Sequence, residues 1–365
     1  MFVKKLILNN FRSYAHAEVD FPPEDIYLTG NNGQGKTNVL EAIHYLTLGR
    51  SFRKAEDKDL IRDGTEEASI YLIYHDESDG KDHVLSCLIG RGYKVFSIDD
   101  RKAKTLSEML GKLLAVHYDP SQVFFFKDEP SDRRKLLDET LSQLDGKYLY
   151  AIARYKKLLK ERNVGLAQNY DVDVLNVLRD QLSNLAYRIV TERKRLVALL
   201  SKKMERIYSE LFSKEKSLSL LYRTNCPLDD DQESFVQNAT ALFDANRSLE
   251  NLRKTTLIGP HRDNLSALLD GKDVAAFGSQ GENRLASLSL RLAIRELFHE
   301  KTGKEPLLLL DDVASDLDAT RCQNLLQSIK GHGQAFVTGA QIREGFEDYQ
   351  IYVASEGSLR RKEND

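Results

Sequence analysis

The stretch Thr29–Leu46, TGNNGQGKTNVLEAIHYL, reads Gly-x-x-x-x-Gly-Lys-Thr at residues 30–37, the pattern of a phosphate-binding loop. Gly30, Gly33 and Gly35 let the backbone take positive φ and approach an anion closely. With Asn31, Asn32 and Gln34 between them, successive N–H groups turn inward as a cradle. Lys36 is then placed to reach the β- and γ-phosphates, and the Thr37 hydroxyl to ligate magnesium. Both stand before a helix expected over Asn38–Leu48, whose dipole favours negative charge. Asp25–Leu28 reads as a short strand ahead of the loop, and Val39, Leu40, Ile43 and Leu46 give a helical period after it. Strand, loop and helix in that order make a nucleotide site.

The chain of 365 residues is long enough for two or three domains, and its 41% hydrophobic and 30% charged composition suits a soluble globular protein. A run of about 18 apolar residues, which a spanning helix needs, is missing, so no membrane partner is expected. The start MFVKKLILNNF alternates like a strand and lacks a signal peptide's apolar core, so a cytoplasmic location is expected. Cys87, Cys226 and Cys322 lie far apart with no metal-ligand spacing, as in a reduced compartment.

Strands are expected at Met1–Asn9 and Ala15–Phe21, and as an antiparallel meander at Ser69–His75, His83–Ile89 and Lys94–Ile98. Leu114–Tyr118 is a short apolar strand. From Leu137 the period changes: Leu137, Leu141, Leu144, Tyr148, Ala151, Tyr155 and Leu158 step by four and three, a heptad seam. After a break at Asn163–Asp173 the alternation resumes from Leu175 to Leu199. Two arms of about 25 residues, roughly 35–40 Å each, read as an antiparallel helical hairpin, either a protruding arm or two core helices.

Tyr148–Phe212 holds 13 Lys/Arg against 7 Asp/Glu, a local balance of +6 in a chain of −3. Lys156, Lys157, Lys160, Arg162, Arg188, Arg193, Lys194 and Arg195 are among them. Such a strip fits phosphate-backbone binding or a solvated helical surface.

Leu307–Leu310 followed by Asp311-Asp312 is a buried strand ending in two carboxylates. Open α/β sheets bind ligands at such strand ends, which places Asp311 to hold the metal and Asp312 to orient or deprotonate water. Phe277-Gly278-Ser279-Gln280-Gly281-Glu282 opens a long helical pattern, Glu282–His299. Ser279 and Gly281 fit an anion-binding helix terminus, with plain helix capping as the other reading. A second terminus reaches an occupied nucleotide only from another molecule, which implies a nucleotide sandwiched between two protomers. Strand candidates at Ser217–Thr224, Leu265–Leu269, Pro306–Leu310 and Ala335–Thr338, and a final hairpin of Ile351–Ala354 with Ser358–Arg361, complete the chain.

Phosphate loop, Ser-x-Gly segment, Asp-Asp strand and Ser315-Asp316-Leu317-Asp318 loop, split by a helical arm, resemble the ABC-type ATPases of the SMC class. Within it, NNFRSY from Asn9, GNNGQGKTNVLEAIHYLTLGRSFR from Gly30, EPSDRRKLLDETL from Glu129 and IGPHRDN from Ile258 resemble the RecF family over essentially the whole chain. The resemblance implies an α/β fold: an ABC-type ATPase head, phosphate-loop core plus antiparallel β lobe, carrying an inserted α-helical coiled-coil arm. The head's first half would span 1–135, the arm 136–250 and the head's second half 251–365. It implies ATP and Mg2+ as cofactors, an ATP-dependent homodimer, slow hydrolysis, DNA at gaps or junctions, and RecR- and RecO-like partners in recombinase loading, replication restart and the SOS response.

Carried over, Lys36 and Thr37 hold phosphate and metal, Asp311 and Asp312 serve metal and water, and Ser279 completes the partner's site. Arg133-Arg134 either positions DNA or stabilises the arm base, and His261 is expected at a DNA or dimer contact. Glu282 stands where the family usually carries Gln, and Phe336–Ala340 replaces a Thr-rich strand end. A guanine-reading Asn-Lys-x-Asp is absent, against a GTPase; a small-molecule kinase needs no Ser279-x-Gly or inserted arm. An ATP-switched scaffold without significant turnover is the remaining alternative.

Overall fold

The structure is a computed structural model describing residues 1–313, 317–342 and 344–362. The chain divides into two compact units, Met1–Val123 with Ser209–Ser213 and Leu288–Asp365, and Phe124–Tyr208 with Lys214–Ser287. The second unit is therefore wider than residues 136–250 and includes both Arg133-Arg134 and Ser279.

In chain order the first unit begins with β1 (Phe2–Phe11), β2 (Tyr14–Asp20), β3 (Ile26–Thr29) and α1 (Lys36–Leu48). β4 (Glu67–Asp76), β5 (Lys81–Gly90), β6 (Tyr93–Ile98), β7 (Arg101–Lys102) and β8 (Ala115–Tyr118) follow. The second unit holds α2 (Pro130–Leu144), α3 (Gly146–Gln168), most of α4 (Val172–Leu211), β9 (Leu218–Arg223) and α5 (Gln232–Arg253). Then come β10 (Asn264–Leu269), β11 (Lys272–Asp273), α6 (Val274–Phe277) and the start of α7 (Gln280–Thr302). β12 (Leu307–Leu310), α8 (Ala319–Ile329), β13 (Ala335–Gly339), β14 (Gln350–Ser355) and β15 (Ser358–Arg361) return to the first unit.

The first unit has two sheets whose patterns differ as their exposure does. The antiparallel sheet, order β2-β1-β4-β5-β6-β7, includes β4, which alternates buried and less buried residues because one face meets the core. The other sheet, order β15-β14-β3-β13-β12-β8, is parallel except for β15. Its strands β3, β13 and β12, and β8 at the edge, are buried at every position, as strands covered on both faces are. Leu307–Leu310 can be purely apolar for that reason.

In the second unit, a helical hairpin and α5 accompany the antiparallel sheet β11-β10-β9. The seam from Leu137 to Leu158 crosses two helices, because Asp145 breaks the backbone (φ −140°) and caps α3 by accepting from Lys147 N–H. The hairpin turn is shorter than the 163–173 break: α3 runs through Gln168, and Asn169 ends it at φ 55°. Gly165 lies inside the helix because the Tyr170 ring folds back to within 2.8 Å of where its Cβ would stand. The helix α5 had no counterpart in the sequence reading. It shares the arm's inner face, with Arg162 bonded to Glu250 at 2.6 Å and Arg179 to Asp244 at 2.7 Å. Leu182, Ile189 and Leu200 of α4 are fully buried, each contributing about 1.5–3 kcal/mol of hydrophobic stabilisation.

Candidate nucleotide site

β3 ends in the phosphate loop at the carboxyl edge of the parallel sheet, where β12 and β13 also end. Gly30 has φ 141°, and a side chain there would stand 2.3 Å from the Ala354 carbonyl of β14. Gly35 has φ 95° and is closed off by Ser13 and Tyr14; the Tyr14 hydroxyl donates to its carbonyl at 3.2 Å. Gly33 also has positive φ, and Asn31 and Asn32 are exposed, so the cradle opens to solvent. The Gln34 side chain ties the loop to β15's turn by accepting from Glu356 N–H at 2.6 Å. Lys36 is buried, and its Nζ donates to Gly30 O at 2.6 Å and Asn31 O at 2.9 Å. Burial lowers its pKa, against the pull of Asp312 and Asp311. Among the described residues no side chain caps the N-terminus of α1, so its first N–H groups point into the loop unclaimed by a cap.

Thr37 donates to both oxygens of Asp311, at 3.0 and 2.8 Å, across 274 residues of sequence. The buried Thr338 on β13 donates to Asp311 Oδ1 at 2.6 Å and accepts the Asp312 N–H at 2.9 Å. One hydroxyl thus holds both carboxylate residues, and Asp312 sits at φ 48° as the chain turns off β12. Burial raises the Asp311 pKa, while the Thr338 and Thr37 bonds oppose the rise. The donor set fits magnesium: Thr37 Oγ1 and the Asp311 carboxylate are hard oxygens beside a phosphate cradle. Mg2+ commonly takes one or two protein oxygens and completes its octahedron with phosphate and water.

Behind the loop, Glu41 of α1 is fully buried and accepts a two-pronged bond from Arg12 (2.9 and 2.7 Å) and one from Ser51 (2.5 Å). Arg53 donates to Asn38 Oδ1 at 3.1 Å, and Asn38 donates to Ser13 at 3.0 Å. The FRSY turn and the GRSFR loop therefore brace the phosphate-loop helix. His44 and His117 are buried around Phe52, whose ring stacks on His117 at 3.6 Å, and burial holds both imidazoles well below their usual pKa. Gln122, after β8, donates to Asp119 Oδ2 at 3.1 Å.

Ser279 and Gly281 belong to the second unit, whereas the phosphate loop belongs to the first. Ser279 caps α7 in a reciprocal box. Its N–H and hydroxyl donate to Glu282 Oε2 at 2.8 and 2.9 Å, and Glu282 N–H returns a bond to its Oγ at 3.2 Å. Gly281 lies in the first turn of α7 with open space where a Cβ would stand. Ser315 and Asp316 lie outside the described residues; Asp318 caps α8 by accepting from Arg321 N–H.

The two motifs left open by the sequence meet in one buried network. Arg193 bonds Asp138 and Asp263, each at 2.7 Å, and the Pro260 carbonyl at 2.7 Å. Tyr148 and Lys156 complete the shell of Asp138, and Tyr222 bonds Asp263. Arg133 donates to Asn264 Oδ1 and to the Phe126 and Asp128 carbonyls, and Arg134 to the Asp263 carbonyl at 2.8 Å. Both arginines stabilise the arm base. His261 is turned inward: Nδ1 meets the Tyr155 hydroxyl at 2.8 Å and Nε2 the Thr256 carbonyl at 3.0 Å. Both ring nitrogens are thus engaged inside the unit.

The basic strip is partly paired within the structure. Arg162 and Arg193 are buried in ion pairs, and Lys156, Arg188 and Lys194 pair with Asp138, Asp145 and Asp230. These acids all fall outside residues 148–212, so the local count leaves out counter-charges that partly offset it, while Lys156 and Lys194 stay exposed.

Residues 2–350 match the family described as the RecF/RecN/SMC N terminal domain. The DNA replication and repair protein RecF of Lactobacillus johnsonii is 34% identical, with all of both chains covered. The chain belongs to the RecF family. RecF of Latilactobacillus sakei is 36% identical over 94% of this chain and 93% of its own. A solved RecF, described as a recombination mediator protein with ATPrS in the RecFOR pathway, superposes with TM-score 0.92 at 28% identity. It covers 99% of this chain and 98% of that one. An Smc head from Pyrococcus furiosus, at TM-score 0.58 and 18% identity, shares the fold. The RecF-type head, an ABC-type ATPase fold with a helical arm, is therefore the architecture here. No helix among the described residues is long and apolar enough to cross a membrane. Thr338, which holds Asp311 and Asp312, and Glu41, buried behind the loop, were not assigned a role from sequence. FVTGA held the only signal for Thr338, a lone hydroxyl in an apolar strand next to the carboxylate strand.

Proposed function

We propose that this chain is an ATP-dependent DNA-binding protein of recombinational repair. Its ATP-bound dimer would bind DNA at single-strand gaps and double-strand/single-strand junctions, working with RecR- and RecO-like proteins in the cytoplasm. It would assist recombinase loading, replication restart and the SOS response, and hydrolyse ATP slowly in a DNA-dependent way. The observation that supports the reading is that the candidate residues fall in different units. The loop and carboxylates of the first unit form a phosphate and metal cradle, while Ser279 at the start of α7 belongs to the second. The full-length likeness to RecF proteins named for DNA replication and repair supports the role, and that to RecF described with ATP supports the ligand.

In this reading the loop's N–H groups and Lys36 hold the β- and γ-phosphates. Thr37 and Asp311 hold magnesium, which when bound offsets phosphate charge. Asp312, fixed by the Thr338 bond at its N–H, orients the attacking water. Ser279 and Gly281 of one copy close over the nucleotide of the other, so ATP joins the two copies. Sedimentation with and without ATP tests this. Lys36→Ala is expected to abolish ATP-dependent dimers, and dimers undiminished without nucleotide contradict the reading. Single-turnover hydrolysis by Asp312→Asn separates the ATPase from the scaffold alternative, because equal rates in mutant and wild type favour the scaffold.

A further inference from the structure

We propose that Lys216 is a positioning residue for the nucleotide that Ser279 receives: it holds the Glu282 carboxylate away from the arriving phosphate. This rests on the two-copy reading above. The Ser279 N–H and hydroxyl, the groups that would meet a phosphate, are both engaged by a single oxygen, Glu282 Oε2. The chain therefore carries its own anion on the helix terminus. A carboxylate and a γ-phosphate repel across a few ångströms, so the site needs either a neutral side chain at 282 or a cation that draws the carboxylate aside.

Lys216 supplies that cation, with Nζ 2.6 Å from Glu282 Oε1, the oxygen that Ser279 leaves free. Its backbone is fixed where it must be. The next residue, Ser217, donates its N–H to the Asp270 side chain and accepts Asp270 N–H, both at 2.9 Å, at the end of the β9–β10 ladder. Lys216 and Glu282 border one cleft with Phe277 and Gly278, so the pair lies beside the terminus a phosphate would approach. The Lys216 bond is also the main reason the Glu282 carboxyl is held down to about 2, so Glu282 is a full anion at neutral pH. Closing on a phosphate then amounts to exchange: the Ser279 donors pass from Oε2 to phosphate oxygen, and the carboxylate stays with Lys216. Glutamine at 282 would make the cation unnecessary, which couples the two positions.

The experiment measures the ATP concentration for half-maximal dimerisation of the full chain, at low and high salt. Variants are Lys216→Met, Lys216→Arg, Glu282→Gln and the Lys216→Met/Glu282→Gln double. Lys216→Met is expected to raise the half-point about tenfold at low salt, less at high salt, by leaving the carboxylate unpaired beside phosphate. Lys216→Arg should stay near wild type, and the double variant should behave as Glu282→Gln, at or below the wild-type half-point. A Lys216→Met half-point within about twofold of wild type, or a double variant as impaired as Lys216→Met, overturns the role alone. Wild type that stays monomeric in ATP overturns the two-copy reading and this role together.

Discussion

Thr338→Val is the sharpest probe of the carboxylate pair, because it keeps the side chain's shape and removes one oxygen. That hydroxyl donates to Asp311 at 2.6 Å and accepts the Asp312 N–H at 2.9 Å inside a fully buried strand. A hydrogen bond to a charged group is worth about 1.5–3 kcal/mol and a neutral one about 0.5–1.5 kcal/mol. The sum, about 2–4.5 kcal/mol, bounds the total loss, part of it in folding stability and part in the placement of the carboxylates. The Asp311 bond alone, if lost where the pair acts, corresponds to about 10–100-fold in hydrolysis rate. The Lys36 cradle is untouched, so ATP affinity should stay within about threefold. Filter binding measures affinity, single-turnover hydrolysis measures rate, and thermal melts by circular dichroism follow stability. Thr338→Ser keeps the hydroxyl and should remain near wild type in all three. Hydrolysis at the wild-type rate in Thr338→Val, with the expected drop in stability, refutes the reasoning.

Arg193→Met leaves Asp138 and Asp263 facing each other in the arm base without their shared cation, which should cost about 3–5 kcal/mol in urea unfolding. Neutralising both acids in the same variant should recover most of that, and a loss under about 1 kcal/mol would mean that the network does not hold the arm. His261 is held down to about 4, mainly by burial, below an unfolded value near 6.5. The fold therefore favours the neutral ring, and its contribution, up to about 3 kcal/mol, is complete above pH 6.5 and declines as pH falls toward 4. His261→Gln should flatten that part of the stability–pH curve, and an unchanged slope would show that other groups control it.

The nucleotide cradle was readable because its determinants are local. Glycines that take positive φ, a lysine and a threonine at one helix start, and an apolar strand before them act through neighbouring backbone, so their order in sequence is their order in space. The same holds for the Ser279–Glu282 box, whose partners are one helical turn apart, and for the parallel strands, whose unbroken hydrophobicity reports burial on both faces. What only the tertiary structure decided are the partnerships of charged and polar groups from distant segments. Thr338 gained its place by strand order, since β13 lies between β3 and β12 and brings its hydroxyl to Asp311 and Asp312. Arg193 reads as one more cation on a basic helix until Asp138 and Asp263 arrive, 55 and 70 residues away, to bury it. A charge is buried only where its counter-charge is folded beside it, and no window of sequence contains both.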